Sequence, residues 1–324
     1  MLGALDSYEG PNRWQVSTSW RYQKSDRHFR GIHEETNRFA EGSEVINHLN
    51  LMEIGIRYNV SDRTSISVGI PFLMAERSSP IRDADRNVVD RSVTHANGLS
   101  DITVTARRLL WDPAVSERRG NASFGLGIKL PTGSPSVQDT RTRLVDGEVV
   151  RTMETVDQSI QPGDGGTGVI VDLSGYYQLG AARTTALYAA GTYLINPEGT
   201  NGVPTFRGRE NEQLMSIADQ YLVRAGVTTS PASWKGWGAS LGGRMEAVPA
   251  HDLIGTSRFF RRPGYAISVE PGVSYSRGPH TLSLAVPIAV QRNRVRSVPD
   301  LEVDGHGDAA FADWVMLFGY WRRF

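Results

Sequence analysis

The sequence contains no cysteine, which excludes a lipoprotein anchor, a c-type haem site and a disulfide framework. It has no apolar run near the roughly 18 residues that a membrane-spanning helix requires. Neither charge is in excess: Lys plus Arg and Asp plus Glu both total 35 in 324 residues, so the net charge is zero and no nucleic-acid partner is indicated. Residues Met1 to Ala4 lack the basic and apolar regions of a secretory signal, and we expect the numbering to be that of a processed chain.

The clearest pattern lies in the last seventeen residues, Asp308 to Phe324. An apolar or aromatic residue stands at almost every second position, and only Arg322 interrupts the row. This alternation predicts a strand with a different environment on each side. An apolar closing strand with a terminal aromatic residue resembles the assembly signal of bacterial outer-membrane β-barrels. The resemblance implies that role for Phe318, Tyr320 and Phe324, with the barrel-assembly machinery as a partner.

The same period of two recurs along the chain and predicts about twelve strands, the first over about 12–24. Short turns and long polar connections alternate between them, which is typical of an all-β, antiparallel, up-and-down barrel that spans the outer membrane. We therefore expect one domain over 1–324, with both termini and the short turns on the periplasmic side. The long outer loops are expected at about 25–46, 77–98, 133–165, 197–216, 249–262 and 294–307.

Within the longest connection, Asp146-Gly147 stands between two apolar pairs and predicts a hairpin. Aromatic residues fall at two levels of the apolar rows, as rings with polar edges do at the two interfaces of a membrane. A soluble β-sandwich also alternates, but it does not require strands of this length or connections sorted by length. The periplasmic level holds Trp14, Tyr58, Trp111, Tyr177, Trp237, Tyr275, Tyr320 and Trp321, and the outer level holds Tyr22, Phe72, Tyr193, Tyr221, Tyr265 and Trp314.

If the apolar rows face lipid, the opposite rows line the lumen, where Gly, Ser and Thr separate charges of both signs. Such charges persist inside a membrane barrel only when they are paired or hydrated, so the lumen is either a wet passage or a salt-bridged filling. Ladders such as Glu53–Arg107 or Arg244–Glu270 represent the second alternative. A barrel of twelve strands predicts at most a narrow channel. The predicted lumen-lining residues are Arg21, Glu53, Arg57, Asp101, Arg107, Lys129, Asp172, Arg224, Arg244, Glu246 and Glu270.

The apolar row of the eleventh strand continues as Arg292, Arg294 and Arg296, near Arg261 at the start of the tenth. Outward arginines at the edge of the apolar band suit the phosphates of lipopolysaccharide, which a guanidinium can bind in a fork. We therefore predict contact of these four residues with outer-membrane lipid. A solvated strand end is the alternative.

Motifs for other chemistry are incomplete, and we predict no catalytic residue, metal site or cofactor. Asp83 to Asn87 resembles the start of a calcium loop without its glycine, so a polar hairpin tip is expected. His95-Ala96-Asn97-Gly98 resembles the His-x-Ser-Asn-Gly strand of outer-membrane phospholipase A. Ala96 stands where that reaction requires its serine nucleophile, and Ser100 lies four residues further on. The sequence therefore does not favour an enzyme.

Three short motifs resemble the meta-pathway phenol-degradation family of outer-membrane transporters. They are Gly98 to Val104, followed by Arg107 to Leu110; Leu126 to Gly133, similar to that family's G-x-K-L-P-T-G strand end; and Gly69 to Phe72, similar to its I-P-Y strand. Ser100 departs from the family's glycine. The resemblance implies a transporter-like barrel for small aromatic or apolar solutes.

Two functions follow from the sequence in different classes. The first is a channel for passive passage of small solutes, with the long outer loops controlling access. The second is a structural barrel with a plugged or occupied lumen that holds a protein partner at its outer loops. A phospholipase-like enzyme is a third and weaker reading.

Overall fold

A computed structural model describes residues 13–113 and 115–324. Residue 12, where the first strand was expected to begin, and the Met1 to Ala4 segment lie outside these residues. Among the described residues, no helix is long and apolar enough to cross a bilayer.

In the described part of the chain, twelve antiparallel strands form one closed sheet, as predicted. Each strand pairs with its neighbours in chain order, and β12 returns to β1 from Gln15 opposite Arg323 to Phe29 opposite Ala309. The eleventh strand has two segments, separated at Val286 and Pro287. The strands are β1 (Trp14–Arg30), β2 (Ile46–Asn59), β3 (Thr64–Arg82), β4 (Thr103–Leu109), β5 (Gly120–Lys129), β6 (Gly168–Leu179), β7 (Thr185–Ile195), β8 (Gln220–Thr229), β9 (Trp237–Val248), β10 (Gly264–Arg277), β11 (His280–Ala285 with Ile288–Arg294) and β12 (Ala309–Arg323).

The short turns lie at the end of the barrel that also holds Trp14 and Phe324. Residues 278 and 279 join β10 to β11, and Gly278 has a φ of 56°, in the left-handed region that glycine adopts without strain. Between β8 and β9 a 3₁₀ helix, Ala232–Trp234, leads to Lys235 and Gly236, both at positive φ. These compact connections fix the register of the strands that they join.

Exposed apolar side chains cover the outer face of the wall. Met52, Ile54 and Leu241 are 50 to 59% exposed in the isolated chain, as expected for a surface that lipid covers. At the short-turn end Trp14 packs on Tyr58 with ring centroids 4.7 Å apart. The outer face therefore has the apolar character that a membrane-spanning wall requires.

Aromatic pairs mark both ends of this apolar band. Trp237 and Tyr275 lie 5.0 Å apart between centroids at the short-turn end, and Tyr193 and Tyr221 lie 5.8 Å apart at the long-loop end. On β12 Phe318 and the terminal Phe324 are exposed outward, while their role in assembly stays a prediction.

The strands at the long-loop end are longer than predicted. β1 continues to Arg30 and β3 to Arg82, where β3 pairs with an additional strand, Val88–Leu99. The expected loop at 77–98 therefore consists largely of paired backbone, and the one at 25–46 begins with six residues of β1. The alternation becomes polar there because the wall has left the apolar band, and this change of composition was interpreted as the end of each strand.

Smaller elements complete the long connections. The predicted hairpin is present as Gln138–Val145 and Glu148–Thr155, with Asp146 and Gly147 both at positive φ. A second pair of strands, Thr200–Pro204 and Leu214–Ser216, forms the connection between β7 and β8. The remaining elements are His33–Glu34, the helices α1 (Asn37–Ala40) and α2 (Val298–Glu302), and a 3₁₀ helix, Gln158–Ile160.

Candidate functional site: the charged lumen and its lid

The inner rows of the strands carry charges separated by small residues. Ten of the eleven predicted lumen-lining residues lie on strands, on the face opposite the exposed apolar rows, and Asp101 lies just before β4; none of the eleven is exposed. Glycines beside them leave the space that their side chains occupy. A Cβ on Gly125 would lie 3.1 Å from the Cβ of Asp172, for example.

Five of these residues form a connected row of ion pairs, which we call the ionic bar. Arg21 on β1 contacts Glu246 on β9 at 2.6 Å. Because β1 and β9 are not neighbours in the sheet, this contact crosses the lumen. The bar consists of Arg21, Glu246, Arg244, Glu270 and Arg224.

The bar continues along the wall from β9 to β10 and β8. Arg244 contacts Glu246 at 2.8 Å and Glu270 at 3.1 Å, and the second of these is a ladder that the sequence suggested. Glu270 also contacts Arg224 at 2.9 Å. Arg244 and Glu270 are almost completely buried, so this part of the lumen is filled by paired charges rather than by water.

A cavity of about 170 Å³ lies in the half of the lumen towards the short turns. Its lining combines hydroxyl groups, such as those of Ser17 and Ser67, with the charges of Glu53 and Arg57. Arg107, which also lines it, contacts Asp172 at 2.7 Å across the intervening strand β5. The cavity is therefore polar and of mixed charge, and it can hold water or a small solute.

At the long-loop end the lumen is covered by residues 156–162, which we call the lid. Ile160 and Val156 are buried against the inner side chains Leu73 and Ala75 of β3. Leu49 and Leu51 of β2 pack against the same cluster. Apolar residues thus occupy both faces of β2 and β3 at this level, because one face meets lipid and the other meets the lid.

Charge fixes the lid as well. The Asp157 carboxylate accepts from both terminal nitrogens of Arg262, at 2.8 and 2.9 Å, and lies 3.5 Å from Arg77. It also caps the 3₁₀ helix by accepting from the backbone N–H of Ser159 at 3.0 Å. Burial opposes ionisation, but the Arg262 and Arg77 guanidiniums outweigh burial and hold the pKa of Asp157 well below its ordinary value.

Three of the long connections are joined at the lid. Arg262 belongs to the connection before β10, and Gln158 of the lid donates to the backbone carbonyl of Ser216 in the connection before β8. Those two connections are themselves joined, because the Phe260 N–H donates to the Leu214 carbonyl at 3.0 Å and the Ser216 N–H donates to the Phe260 carbonyl at 3.0 Å.

A second clasp anchors the base of the longest connection. Lys129, at the end of β5, binds the carboxylate of Asp164 and lies 3.8 Å from Asp101. Asp101 accepts from the backbone N–H groups of Gly133 and Asp164, at 3.0 and 3.2 Å. Two of the predicted lumen charges therefore hold the loop in place instead of facing an open passage.

The prediction that Arg261, Arg292, Arg294 and Arg296 face outward is wrong for three of them. Arg261 is buried and contacts Asp252 at 2.6 Å, and Arg294 is buried and contacts Asp300 at 3.0 Å. Arg292, also buried, donates to the Ala312 carbonyl at 3.1 Å and binds Asp313. Arg296 is partly exposed and contacts Asp304 at 2.9 Å.

A β-bulge explains the error for Arg292 and Arg294. Ile267 pairs with Gln291 and Ser268 pairs with Ala289, so Val290 is an extra residue on β11. Val290 and Gln291 are both exposed, and beyond them the alternation has changed phase. The residues that would have continued the outward row therefore turn inward.

The other candidate motifs have structural roles. Asp83 accepts from the backbone N–H of Asn87 at 2.8 Å in the expected hairpin tip. His95 contacts Asp139 at 3.3 Å, while Ala96 is buried in the cluster beneath the lid. No reactive hydroxyl therefore stands at the position that the phospholipase resemblance requires.

One group of side chains has the composition of a metal site. Atoms of His28, Glu35 and Asp308 lie within 4.8 Å of one another. Arg38, however, binds Glu35 at 2.6 Å and Asp308 at 3.0 Å, so one guanidinium already pairs with both carboxylates. The group acts as an ionic cross-link between the first long connection and the residue before β12.

The sequence reasoning missed the residues that form and hold the lid. Leu49, Leu51 and Leu73 carried a usable signal, because apolar residues on both faces of a strand indicate contact on both sides. Asp157 and Arg262 carried none, since their partnership depends on loops that approach only in the folded protein.

The closed sheet, its apolar outer band and its charged interior define the class: this is the fold of a bacterial outer-membrane β-barrel. No family model and no curated protein matches the chain. Among solved structures, the chain is similar to an outer membrane channel from Pseudomonas putida F1, with a TM-score of 0.59, 12% identity and coverage of 100% of both chains. It is also similar to the translocator domain of the autotransporter NalP from Neisseria meningitidis, with a TM-score of 0.50, 11% identity and coverage of 99% of this chain and 91% of that chain.

Proposed function

We propose that the protein is an outer-membrane channel for small solutes whose passage is closed by the ionic bar and the lid. The observation that carries the proposal is the polar cavity inside the barrel, which is lined by hydroxyls and both signs of charge. A lumen filled throughout by salt-bridged side chains would leave no such cavity. The short turns and both termini are assigned to the periplasmic side and the lid to the outside.

The solute class is assigned as small and aromatic or apolar. The family resemblance implies such solutes, and the structurally similar protein from Pseudomonas putida F1 is named an outer membrane channel. The apolar side chains beneath the lid support the same assignment, because displacement of Val156 and Ile160 would uncover Leu49, Leu51 and Leu73. A solute that enters past the open lid would therefore meet an apolar wall before the charged cavity.

Conductance measurements test the channel directly. The purified barrel in a planar bilayer should show small, infrequent openings, and Asp157→Asn combined with Ile160→Ala should increase the open fraction by releasing the lid. Asp146→Asn, at the exposed tip of the hairpin in the same connection, should behave as wild type. Absence of ion current and of solute flux into liposomes in both wild type and the lid variant would refute the proposal.

The second candidate is a barrel that holds a protein partner. The three joined connections favour it, because they present one ordered surface over the lumen. This function predicts a stoichiometric partner after extraction in mild detergent, together with a lid variant that does not conduct.

A further inference from the structure

Four arginines gather beside the lid, on three different long connections and the protruding end of β3. Two of them contact Asp157, and the other two lie on aromatic side chains in the same region. We call this group the arginine cluster, and it consists of Arg77, Arg141, Arg207 and Arg262.

Two phenyl rings connect the members of the cluster. The guanidinium carbons of Arg207 and Arg262 lie 4.0 and 4.7 Å from the ring centroid of Phe260. Those of Arg141 and Arg207 lie 4.3 and 5.8 Å from the ring of Phe206. Phe260 is buried, whereas Phe206 is 44% exposed. One aromatic surface flanked by two cations is therefore open to solvent.

Two carboxylates near the cluster each serve two cations. Asp157 serves both Arg77 and Arg262, and Glu212 lies 3.6 Å from Arg207 and 3.4 Å from Arg209. Burial and then the charge of Arg262 lower the pKa of Arg207, so the positive charges at this position are incompletely compensated.

The positive charge of Arg141, on the hairpin, is also incompletely compensated. Arg141 lies 3.8 Å from Glu154, whose carboxylate is bound more closely by Arg143. Burial and then the charge of Arg143 lower the pKa of Arg141. In addition, the Nε–H of Arg207 is buried and has no hydrogen-bond partner among the described residues. A buried donor without an acceptor is costly, and an anion would supply the acceptor.

We infer that the arginine cluster and Phe206 form a binding site for an organic carboxylate with an aromatic or apolar body. The carboxylate would accept from Arg141 and Arg207, and the body would lie against the exposed ring of Phe206. A guanidinium pairs with a planar carboxylate through two parallel hydrogen bonds. Inorganic phosphate can form the same pair, but it has no apolar body to lie against the ring of Phe206. The site would define the solute class of the proposed channel, and in this respect the inference rests on the proposed function.

Calorimetric titration of the intact barrel in detergent tests binding without any transport. Benzoate is the probe, benzyl alcohol is the neutral analogue of similar shape, and inorganic phosphate is the anion without an apolar body. Arg207→Gln and Arg141→Gln remove one guanidinium each, and Arg151→Gln is the matched control because Arg151 is exposed on the same hairpin as Arg141. Hydrogen exchange of the lid in each variant shows whether the fold is kept.

Benzoate should bind wild type and Arg151→Gln alike, about tenfold more weakly to each cluster variant, and benzyl alcohol should not bind measurably. Equal affinity in the cluster variants with an intact lid, equal binding of benzyl alcohol, or tighter binding of phosphate than of benzoate would overturn the inference. A channel that conducts but binds no benzoate refutes only the site, whereas benzoate binding without conductance refutes only the channel.

Discussion

The ionic bar offers the sharpest test of how the lumen is closed. Glu246 accepts from Arg21 at 2.6 and 3.0 Å across the lumen and from Arg244 at 2.8 Å along its own strand. Glu246→Gln keeps the shape of the side chain and removes its charge. The bar then changes from three arginines and two glutamates to three arginines and one glutamate, so its formal charge rises from +1 to +2.

The size of the effect follows from burial. The Arg21 and Glu246 side chains are 26 and 32% exposed, so their pair is intermediate between exposed and buried pairs. Exposed pairs contribute ~0.2–1 kcal/mol, whereas breaking a fully buried pair costs ~3–5 kcal/mol. We take about 1.4 kcal/mol for this contact, which corresponds to a tenfold change in the ratio of molecules whose ionic bar is open to molecules whose bar is closed.

Single-channel recording measures both consequences. Glu246→Gln should raise the open fraction about tenfold, and the reversal potential in a salt gradient should shift towards anion selectivity because of the added positive charge. Glu53→Gln is the control, since it removes the same charge from the cavity lining outside the bar. It should shift selectivity without changing the open fraction.

Two outcomes would contradict this reasoning. One is an unchanged open fraction in Glu246→Gln with unchanged selectivity. The other is strict additivity of Glu246→Gln and Arg21→Gln, because two residues that act through one contact must show coupling in a double-mutant cycle.

Further predictions concern the lid, the wall and assembly. Asp157→Asn leaves two largely buried guanidiniums, 12% exposed at Arg77 and 21% at Arg262, without their shared carboxylate. The change should cost about 3 kcal/mol and should speed hydrogen exchange of residues 156–162, while Asp146→Asn should not. Acidification from pH 7 to about 4 should leave conductance unchanged, because the depressed pKa of Asp157 preserves the stability of the lid down to the ordinary carboxyl value of about 3.9 and that stability is lost only at lower pH. Hydrogen exchange of residues 156–162 should therefore become faster below about pH 4 in wild type, whereas in Asp157→Asn it should already be fast at pH 7. Gly242→Ala should destabilise the barrel by about 1–3 kcal/mol, because the new Cβ would lie 2.3 Å from the Tyr188 hydroxyl, and the barrel should lose its compact gel mobility at a lower temperature. Gly243→Ala should leave that temperature unchanged, because its Cβ meets no atom within 4 Å. Phe324→Ala should reduce the amount of barrel assembled in the outer membrane, and Phe39→Ala, at an exposed loop position, is the control. Equal amounts of assembled barrel in the two variants would show that Phe324 is not part of the assembly signal.

Most of the fold was predictable because the membrane imposes one simple rule on every strand. Met52, Ile54 and Ile56 must be apolar to face lipid, and the intervening residues must not be, so sequence period reports geometry directly. The Asp146-Gly147 turn was predictable for an equally local reason, since its backbone requires positive φ at both positions.

The errors arose where geometry is not local. The bulge at Val290 changes the phase of β11 without changing the period, so Arg292 and Arg294 read as outward residues. The predicted strand ends were wrong because paired backbone above the membrane carries the polar composition that is typical of a loop. The lid depends on Asp157 and Arg262, which are 105 positions apart, and no periodic pattern connects them.

The ties among the long connections have a consequence for biogenesis. Asp157 and Arg262 lie on different long connections, so they can pair only after β6 and β10, which follow those connections, have taken their places in the sheet. We therefore expect a newly inserted barrel to remain leaky until these connections dock, with maturation ending in loop docking rather than in closure of the sheet. Pulse-labelled protein should become resistant to external protease at 156–162 only after it acquires heat-stable mobility; the reverse order would disprove this sequence of events.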